Sequence, residues 1–478
     1  MQVCGIGGPV KFQVAAATYN EQVSVPNIPG ANATNTITFD GGNGNKATRI
    51  ISFSPIGAPN WHVVRFDGCN YVTFRNLTIQ STSGSGAWVT HFFDGSNNRI
   101  NNCNINLTGN SIGSSNFIGA VINGNKTNWN TNTAVGDNHL MDSNVFNLNG
   151  AYYGITTSAS GGGNNTYKFF YNTINGVYQY NTYFQNSHVV KFNNNTVNFG
   201  SYITSSYGIY MISNNLTGAN FHEMNSNKFN NVGQFGIYLN SVSGSSTNPS
   251  QIYNNFMNGF KFNSGPAGVN MQSSSYWNVY HNTINIDIAA SATAACILIQ
   301  NGSNNRVQNN ILSVSNSSSS GTYPLYVNPS SAAITVDYNN YYNVSSSNLM
   351  QIGATLYTTS NYKTAFPTGG GANSINKDPL YVSSTDIHIT DGCNNGTNLG
   401  LTTDIDGNTR GATPDIGADE IVASADNLAM NAIISPLTNS VSPGPINITV
   451  LIKNQGSNTV TTGSVAYILN GGSPVAVS

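Results

Sequence analysis

The chain reads as an all-β protein: a solenoid of stacked parallel coils, followed by the start of a smaller β module. Three observations predict this. Charged residues make up only 7% of 478 residues, while asparagine occurs 78 times. A short segment recurs along the chain with apolar residues at fixed offsets. A second strand-like segment precedes many of its copies.

Composition removes several classes. Globular chains carry about 25% charged residues, and helical bundles need Glu, Lys, Arg, Ala and Leu at helical spacing. Here Asn, Gly, Ser, Thr and Tyr take that share. The net charge is −2 with 16 Lys and Arg spread thinly, so nucleic acid is not an expected partner. Aromatic residues at 10%, with frequent β-branched residues, argue against disorder. No apolar run approaches the roughly 18 residues of a membrane span, so no membrane insertion is expected. Met1-Gln2-Val3-Cys4 leads without a leader-like segment into Val10–Val14, which already alternates like a strand. The composition favours the trimmed end of an exported protein over cytoplasmic residence. Cys4, Cys69, Cys103, Cys296 and Cys393 lie far apart without metal-ligand spacing and are expected as buried small hydrophobes.

The repeat sets the architecture. Lys168–Ile174, Asn278–Ile284 and Arg306–Leu312 are copies of one segment, and its fifth residue serves as an anchor. Anchors fall at Leu77, Cys103, Asn144, Asn172, Asn195, Asn227, Asn255, Asn282, Asn310 and Asn339. Their spacings run from 23 to 32 residues, with one of 41. Three positions before each anchor the residue is apolar, from Phe74 to Val336. Two positions after it the residue is apolar or aromatic, from Ile79 to Tyr341. Two inward columns flanking an Asn column are what stacked coils require, because each coil buries the same positions against its neighbours. Asn at the anchor is expected to tolerate the left-handed backbone of a tight bend and to hydrogen-bond along its column. Upstream strands such as Gly208–Met211 and Gly236–Leu239 alternate apolar and outward residues.

These segments resemble the right-handed parallel β-helix family, the pectate-lyase-like superfamily. The resemblance covers roughly residues 10–420 and implies about ten to twelve coils in a domain spanning 1–420. Asp378-Pro379-Leu380 onward, with Asp404-Ile405-Asp406-Gly407 and Pro414–Glu420, resembles the closing segment of secreted bacterial β-helix proteins, often of Bacteroidetes type. That implies an extracellular or cell-surface location. Residues 421–478 resemble the first strands of an immunoglobulin-like module of the CARDB kind. A full sandwich takes roughly 100 residues, so the module is expected to be incomplete.

Functional candidates are few. Members of the superfamily include polysaccharide lyases and hydrolases. Hydrolysis by paired carboxylates is disfavoured, because Glu223, Asp287 and Asp337 are the only acids between Ser143 and Lys377. Metal-independent β-elimination remains an alternative, with Lys168, Lys191 and Glu223 expected on successive coils four positions before the anchor. The bland reading of that column is a solvated polar stripe. His222 and His281 are expected as ordinary surface or turn residues.

Tyr183, Tyr210 and Tyr238 are the candidates for carbohydrate binding, expected in one outward column on three consecutive coils. Their faces could stack on sugar rings, or simply on one another. The long interval after Cys103 implies an insertion in which Asn123–Asn130 protrudes and offers Trp129 as a contact residue, unless the loop packs back. Asp404 and Asp406 have the flavour of a calcium loop without the rest of an EF-hand, so a structural calcium is weighed against a capping turn. The favoured reading is a surface adhesin or structural protein that contacts polysaccharide or a cell-surface glycan, with no catalytic cofactor. The alternatives are the lyase and a fibre subunit that stacks end to end.

Overall fold

From coil 3 to coil 12 each coil turns its first corner in two residues, and that corner organises the molecule. The first corner residue is left-handed in every repeat, from Asn76 and Asn102 through Ser143 and Tyr171 to Asn309 and Tyr338, with φ between +49° and +59°. The second is the anchor. This corrects the expected role of the anchor: the bend is made by its predecessor, and the anchor side chain turns inward instead. Five of the ten left-handed residues are Asn, the non-glycine type that visits this region most readily.

The computed structural model describes residues 4–131, 136–158, 165–186, 188–202, 204–318, 321–366, 371–392, 395–421, 428–435, 447–454, 458–461, 465–467 and 475–477. Cys393 lies outside them. Residues 1–420 form one unit and 421–478 another. In the first unit the strands assemble into two sheets of twelve and one of thirteen. Successive strands pass to sheet A, sheet B and sheet C in turn, giving twelve coils. Coil 6, for example, comprises Asn165–Phe170 in sheet A, Thr173–Asn175 in sheet B and Tyr180–Gln185 in sheet C. Coil-to-coil pairing is parallel throughout; only the last strand of sheet C, Thr355–Thr358, runs antiparallel. Among the described residues no helix is long and apolar enough to cross a membrane.

The two inward columns are buried as expected, from Phe74 and Ile79 to Val336 and Tyr341. Between them the anchors form a continuous amide ladder. Each Asn Nδ2 donates to the Oδ1 of the next anchor, from Asn144–Asn172 at 3.0 Å through Asn227–Asn255 at 2.9 Å to Asn310–Asn339 at 3.0 Å. The same Oδ1 accepts the backbone N–H of the preceding anchor, as Asn195 Oδ1 does from Asn172 at 2.8 Å. The second N–H of each amide goes back to a main-chain carbonyl of the coil before, as from Asn227 to Phe192 at 2.8 Å. Asn195, Asn255 and Asn282 are spanned in the same way. A buried polar column is tolerated because its amides are satisfied. Cys69, Cys103 and Cys296 are buried and Cys4 is exposed.

His222 and His281 are not surface residues. Both are buried, His222 stacked on Trp277 at 5.7 Å and His281 bonded to Asn309 at 2.7 Å. Burial lowers each pKa to about 3, so both are neutral packing groups.

The segment from Asn376 to Glu420 folds back over sheet B as a strap. Tyr381 meets Ser313 at 2.7 Å, the Ser384 carbonyl accepts from Asn258 at 2.9 Å, and Asp406 pairs with Lys228 at 3.0 Å. Phe256 packs with Ile387, Ile405 and Ala418 of the strap. In the second unit, Leu428–Ser435 pairs antiparallel with Thr449–Asn454, and Val465–Tyr467 with Val475–Val477.

Candidate functional site

The outer face of sheet C carries the largest aromatic assembly. Parallel register places Tyr183, Tyr210 and Tyr238 directly above one another, as the spacing predicts. Their rings stack at 5.1 Å and 14°, then 5.2 Å and 2°. A second column, missed from sequence, lies three residues earlier on the same strands: Tyr153, Tyr180, Tyr207 and Phe235. Its rings also stack, at 5.3, 4.9 and 5.2 Å. Between columns the rings meet edge to face, Tyr180–Tyr183 at 89° and Tyr207–Tyr210 at 84°. The signal was available, since aromatic residues recur at one offset on four strands, but it emerges only once the register is known.

This geometry changes what the face can do. Ring faces are engaged by neighbours within and between the columns. Solvent therefore meets ring edges and hydroxyls, at one coil spacing from rung to rung. Burial, then the neighbouring phenols, raises these pKa values, to about 12 for Tyr183 and Tyr238. The hydroxyls stay neutral, and that of Tyr238 donates to Gln272 Oε1.

The insertion closes one end of this face. Rather than protruding, Trp129 packs on Tyr153 at 4.6 Å and edge-on to Tyr183 at 5.5 Å. Three contacts fasten the loop. His91 Nε2 donates to the Gly124 carbonyl at 2.8 Å, Lys126 pairs with Asp67 at 2.7 Å, and Lys126 lies 4.6 Å over the Phe93 ring. Beyond the loop, Ser24 Oγ lies 2.9 Å from His62 Nε2. Arg65 donates to His62 Nδ1 at 3.2 Å, so Nε2 carries the proton and cannot take one from the serine. Burial, with the Arg65 charge, lowers the His62 pKa to about 3. The pair is a structural contact.

Sheet A carries the polar column. Lys168, Lys191 and Glu223 are register partners on successive coils, as expected. Lys191 lies 3.7 Å from Glu223, and Lys168 donates to Asn138 at 2.8 Å. Glu223 also accepts from Tyr253 at 2.6 Å, and from Asn193 and Asn225 at 3.1 Å each. Burial raises the Glu223 carboxyl, but Tyr253, Asn193 and Lys191 outweigh it and hold the pKa below its ordinary value. Burial lowers Lys191 to about 8, against the pull of Glu223. The column is thus a half-buried ionic network rather than a solvated stripe.

On the strap, Asp404 caps a turn. Its oxygens accept from the backbone of Asp406 and Asn408, from the Asn408 amide and from the Glu420 backbone. Asp406 meets Lys228 and His388 Nε2, the latter at 2.8 Å. The ligand atoms of His388, Asp406 and Asp419 lie within 4.8 Å of one another. That grouping, rather than Asp404 with Asp406, is where a cation would find converging ligands.

Fold and faces together define a class: a parallel β-solenoid with a tyrosine-rich outer face on sheet C. No family model and no curated protein matches the chain. Among solved structures it is similar to PfbA, a surface adhesin of Streptococcus pneumoniae, at 12% identity and a TM-score of 0.38, over 62% of this chain and 76% of that one. It is also similar to XylC, in a complex with xylose, at 9% identity and a TM-score of 0.36, over 75% of this chain and 66% of that one. The solenoid itself rests on the strand register of this chain.

Proposed function

We propose that this chain is an extracellular, non-catalytic solenoid that binds polysaccharide through the tyrosine face of sheet C. We read residues 421–478 as the start of an immunoglobulin-like module behind it. The observation that carries the reading is the double column of half-buried tyrosines, ended by Trp129. Exposed aromatic patches of this kind mark interaction sites, and phenols combine an apolar body with a polar tip. Rows of neutral hydroxyls at coil spacing suit a polymer of hydroxyl groups better than an ionic partner. The test compares two triple variants at 183, 210 and 238 in affinity electrophoresis against a panel of polysaccharides. Tyr→Phe keeps the stacking and removes the hydroxyls; Tyr→Ala removes both. Retardation lost in both variants, with the fold intact by circular dichroism, supports the reading. Unchanged retardation in both sinks it.

A second reading rests on Lys191. An amine with a pKa of about 8 beside Lys168 could take a proton next to a uronate carboxylate. Incubation with uronate polymers would then release unsaturated products, and the Lys191→Met variant would release none.

A further inference from the structure

A second column of asparagines runs along the outside of sheet B, three positions after the anchors. Asn106, Asn147, Asn175, Asn198 and Asn230 occupy it on coils 4 to 8 in strict register. Their amides form an outer ladder with Nδ2-to-Oδ1 distances of 3.0, 3.1, 2.8 and 2.9 Å. The buried ladder explains itself through satisfaction of interior groups. The outer one does not, since water would serve exposed amides equally well. A groove follows it, with cavities of about 480 Å³ at Asn106–Asn147–Asn175 and about 400 Å³ at Asn198–Asn230–Asn258. Neither is lined by a charged residue.

The same column shows its binding mode further along. On coils 9 to 12 it continues as Asn258, Asn285, Ser313 and Tyr342, and there the strap lies on it. Asp378 meets Tyr342 at 2.9 Å, Tyr381 meets Ser313 at 2.7 Å, and the Ser384 carbonyl meets Asn258 at 2.9 Å. An elongated chain already occupies one end of the column. The bare rungs on coils 4 to 8 continue that interface, and the strap residue Thr385 lines the near cavity.

We propose that the outer asparagine groove of sheet B is a binding site for a neutral β-1,4-linked polysaccharide lying along the solenoid axis. Period decides between polysaccharide and polypeptide. Rungs repeat at the strand spacing of about 4.8 Å, and an extended β-1,4 hexopyranose chain, which turns over at each sugar, presents the same side about once for every two rungs. An extended peptide presents same-side groups every roughly 6.6 Å and slips by more than a third of a rung at each step. The strap, which is not extended there, meets the column through every third residue, Asp378, Tyr381 and Ser384, on coils 12, 11 and 9. Each interior rung also retains one N–H and one oxygen lone pair beyond its ladder bonds, a pair that a sugar hydroxyl complements.

This site is on a different face from the tyrosines, and the experiment separates them. Affinity electrophoresis of the full chain uses glucomannan as the neutral β-1,4 polymer, polygalacturonate as the acidic one, and a synthetic Asp378–Ile389 peptide. The variants are the Asn147→Ala/Asn175→Ala/Asn198→Ala triple and Thr108→Trp. The second fills the groove from an exposed lip residue without touching the ladder. Retardation by glucomannan that falls at least tenfold in both variants, and persists in the Tyr→Phe triple, supports the groove. Three results overturn it: no retardation by glucomannan, unchanged retardation in Thr108→Trp, or tight binding of the peptide in place of glucomannan. Loss only in the tyrosine variants overturns the groove and leaves the sheet C reading standing. Loss only in the groove variants does the reverse.

Discussion

Replacing Asn227 by alanine tests the buried ladder at its centre. The side chain is fully buried. Its Nδ2 donates to the Phe192 carbonyl at 2.8 Å and to Asn255 Oδ1 at 2.9 Å. Its Oδ1 accepts the Asn195 backbone N–H at 2.9 Å and Asn195 Nδ2 at 3.2 Å. Not all of these partners are stranded by the substitution. Asn195 Nδ2 keeps the Phe169 and Asn193 carbonyls, and Asn255 Oδ1 keeps the Asn227 backbone N–H. One group loses its partner, the Asn195 N–H; the Phe192 carbonyl, on a strand paired in register with Glu223–Asn225, keeps that pairing. At about 1–3 kcal/mol for a buried orphan, the expected loss is about 2 kcal/mol. Solenoids unfold locally, since each coil contacts only its neighbours, so a single global midpoint is the wrong readout. Native-state hydrogen exchange is the right one. Protection in Thr196–Asn198, Lys228–Asn230 and Phe256–Asn258 should fall by about thirtyfold, while Arg49–Phe53 on coil 2 stays unchanged. A change under tenfold in those three strands would refute the claim that the amides hold the coils together.

Cys103→Asn should extend the ladder by one rung. The side-chain group that reaches the Phe74 carbonyl is a thiol at 3.7 Å, and an amide there should raise the melting temperature by an amount equivalent to about 1 kcal/mol; a lowered temperature would show that the slot cannot take the larger group. Lys191 is held at about 8 in the folded chain against an ordinary 10.5, so the unfolded chain binds more protons between those values. Stability of the wild type relative to Lys191→Met should therefore rise with pH across that window in urea titrations, and a flat difference would contradict the burial argument. His388 has the opposite sign. Burial opposes its charge, but Asp386 and Asp406 outweigh it and raise the pKa above 6.5. Its stabilisation of the strap is full below 6.5 and lost as pH rises through the folded value. Limited proteolysis of the strap should thus quicken as pH rises above 6.5 in the wild type and be pH-independent in His388→Asn.

Much of the scaffold was legible because burial repeats. A position that faces inward once faces inward on every coil, so Phe74 and Val336 announce the same column although more than two hundred residues apart. The registers of Lys168–Lys191–Glu223 and Tyr183–Tyr210–Tyr238 followed from that alignment. The bend was harder to read. Its left-handed slot accepts Asn, but also Tyr171, His281 and Tyr338, whose types do not advertise the conformation. Ring orientation was not legible either: one tyrosine column suggests open faces, and only the second column turns them into shared ones. The outer asparagines stood in plain sequence three residues after seven of the ten anchors, masked by the stronger periodicity of the inward positions. The landing of the strap depends on pairs such as Lys228 and Asp406, which no local pattern connects.

The ladder also bears on how long such a molecule is. Every rung asks the same of the next coil, one oxygen for a main-chain N–H and an amide, and offers the same in return. Nothing in a rung records its ordinal position, so insertion or loss of a whole coil leaves every remaining request answered. The count must be set elsewhere. It is set at Asn339, whose N–H is met at 3.2 Å not by another asparagine but by the hydroxyl of Ser374, just ahead of the strap. For the ladder alone, length is thus bounded by its terminator; the coils under the strap are tied to it by Lys228–Asp406 and Asn258–Ser384 and are not interchangeable.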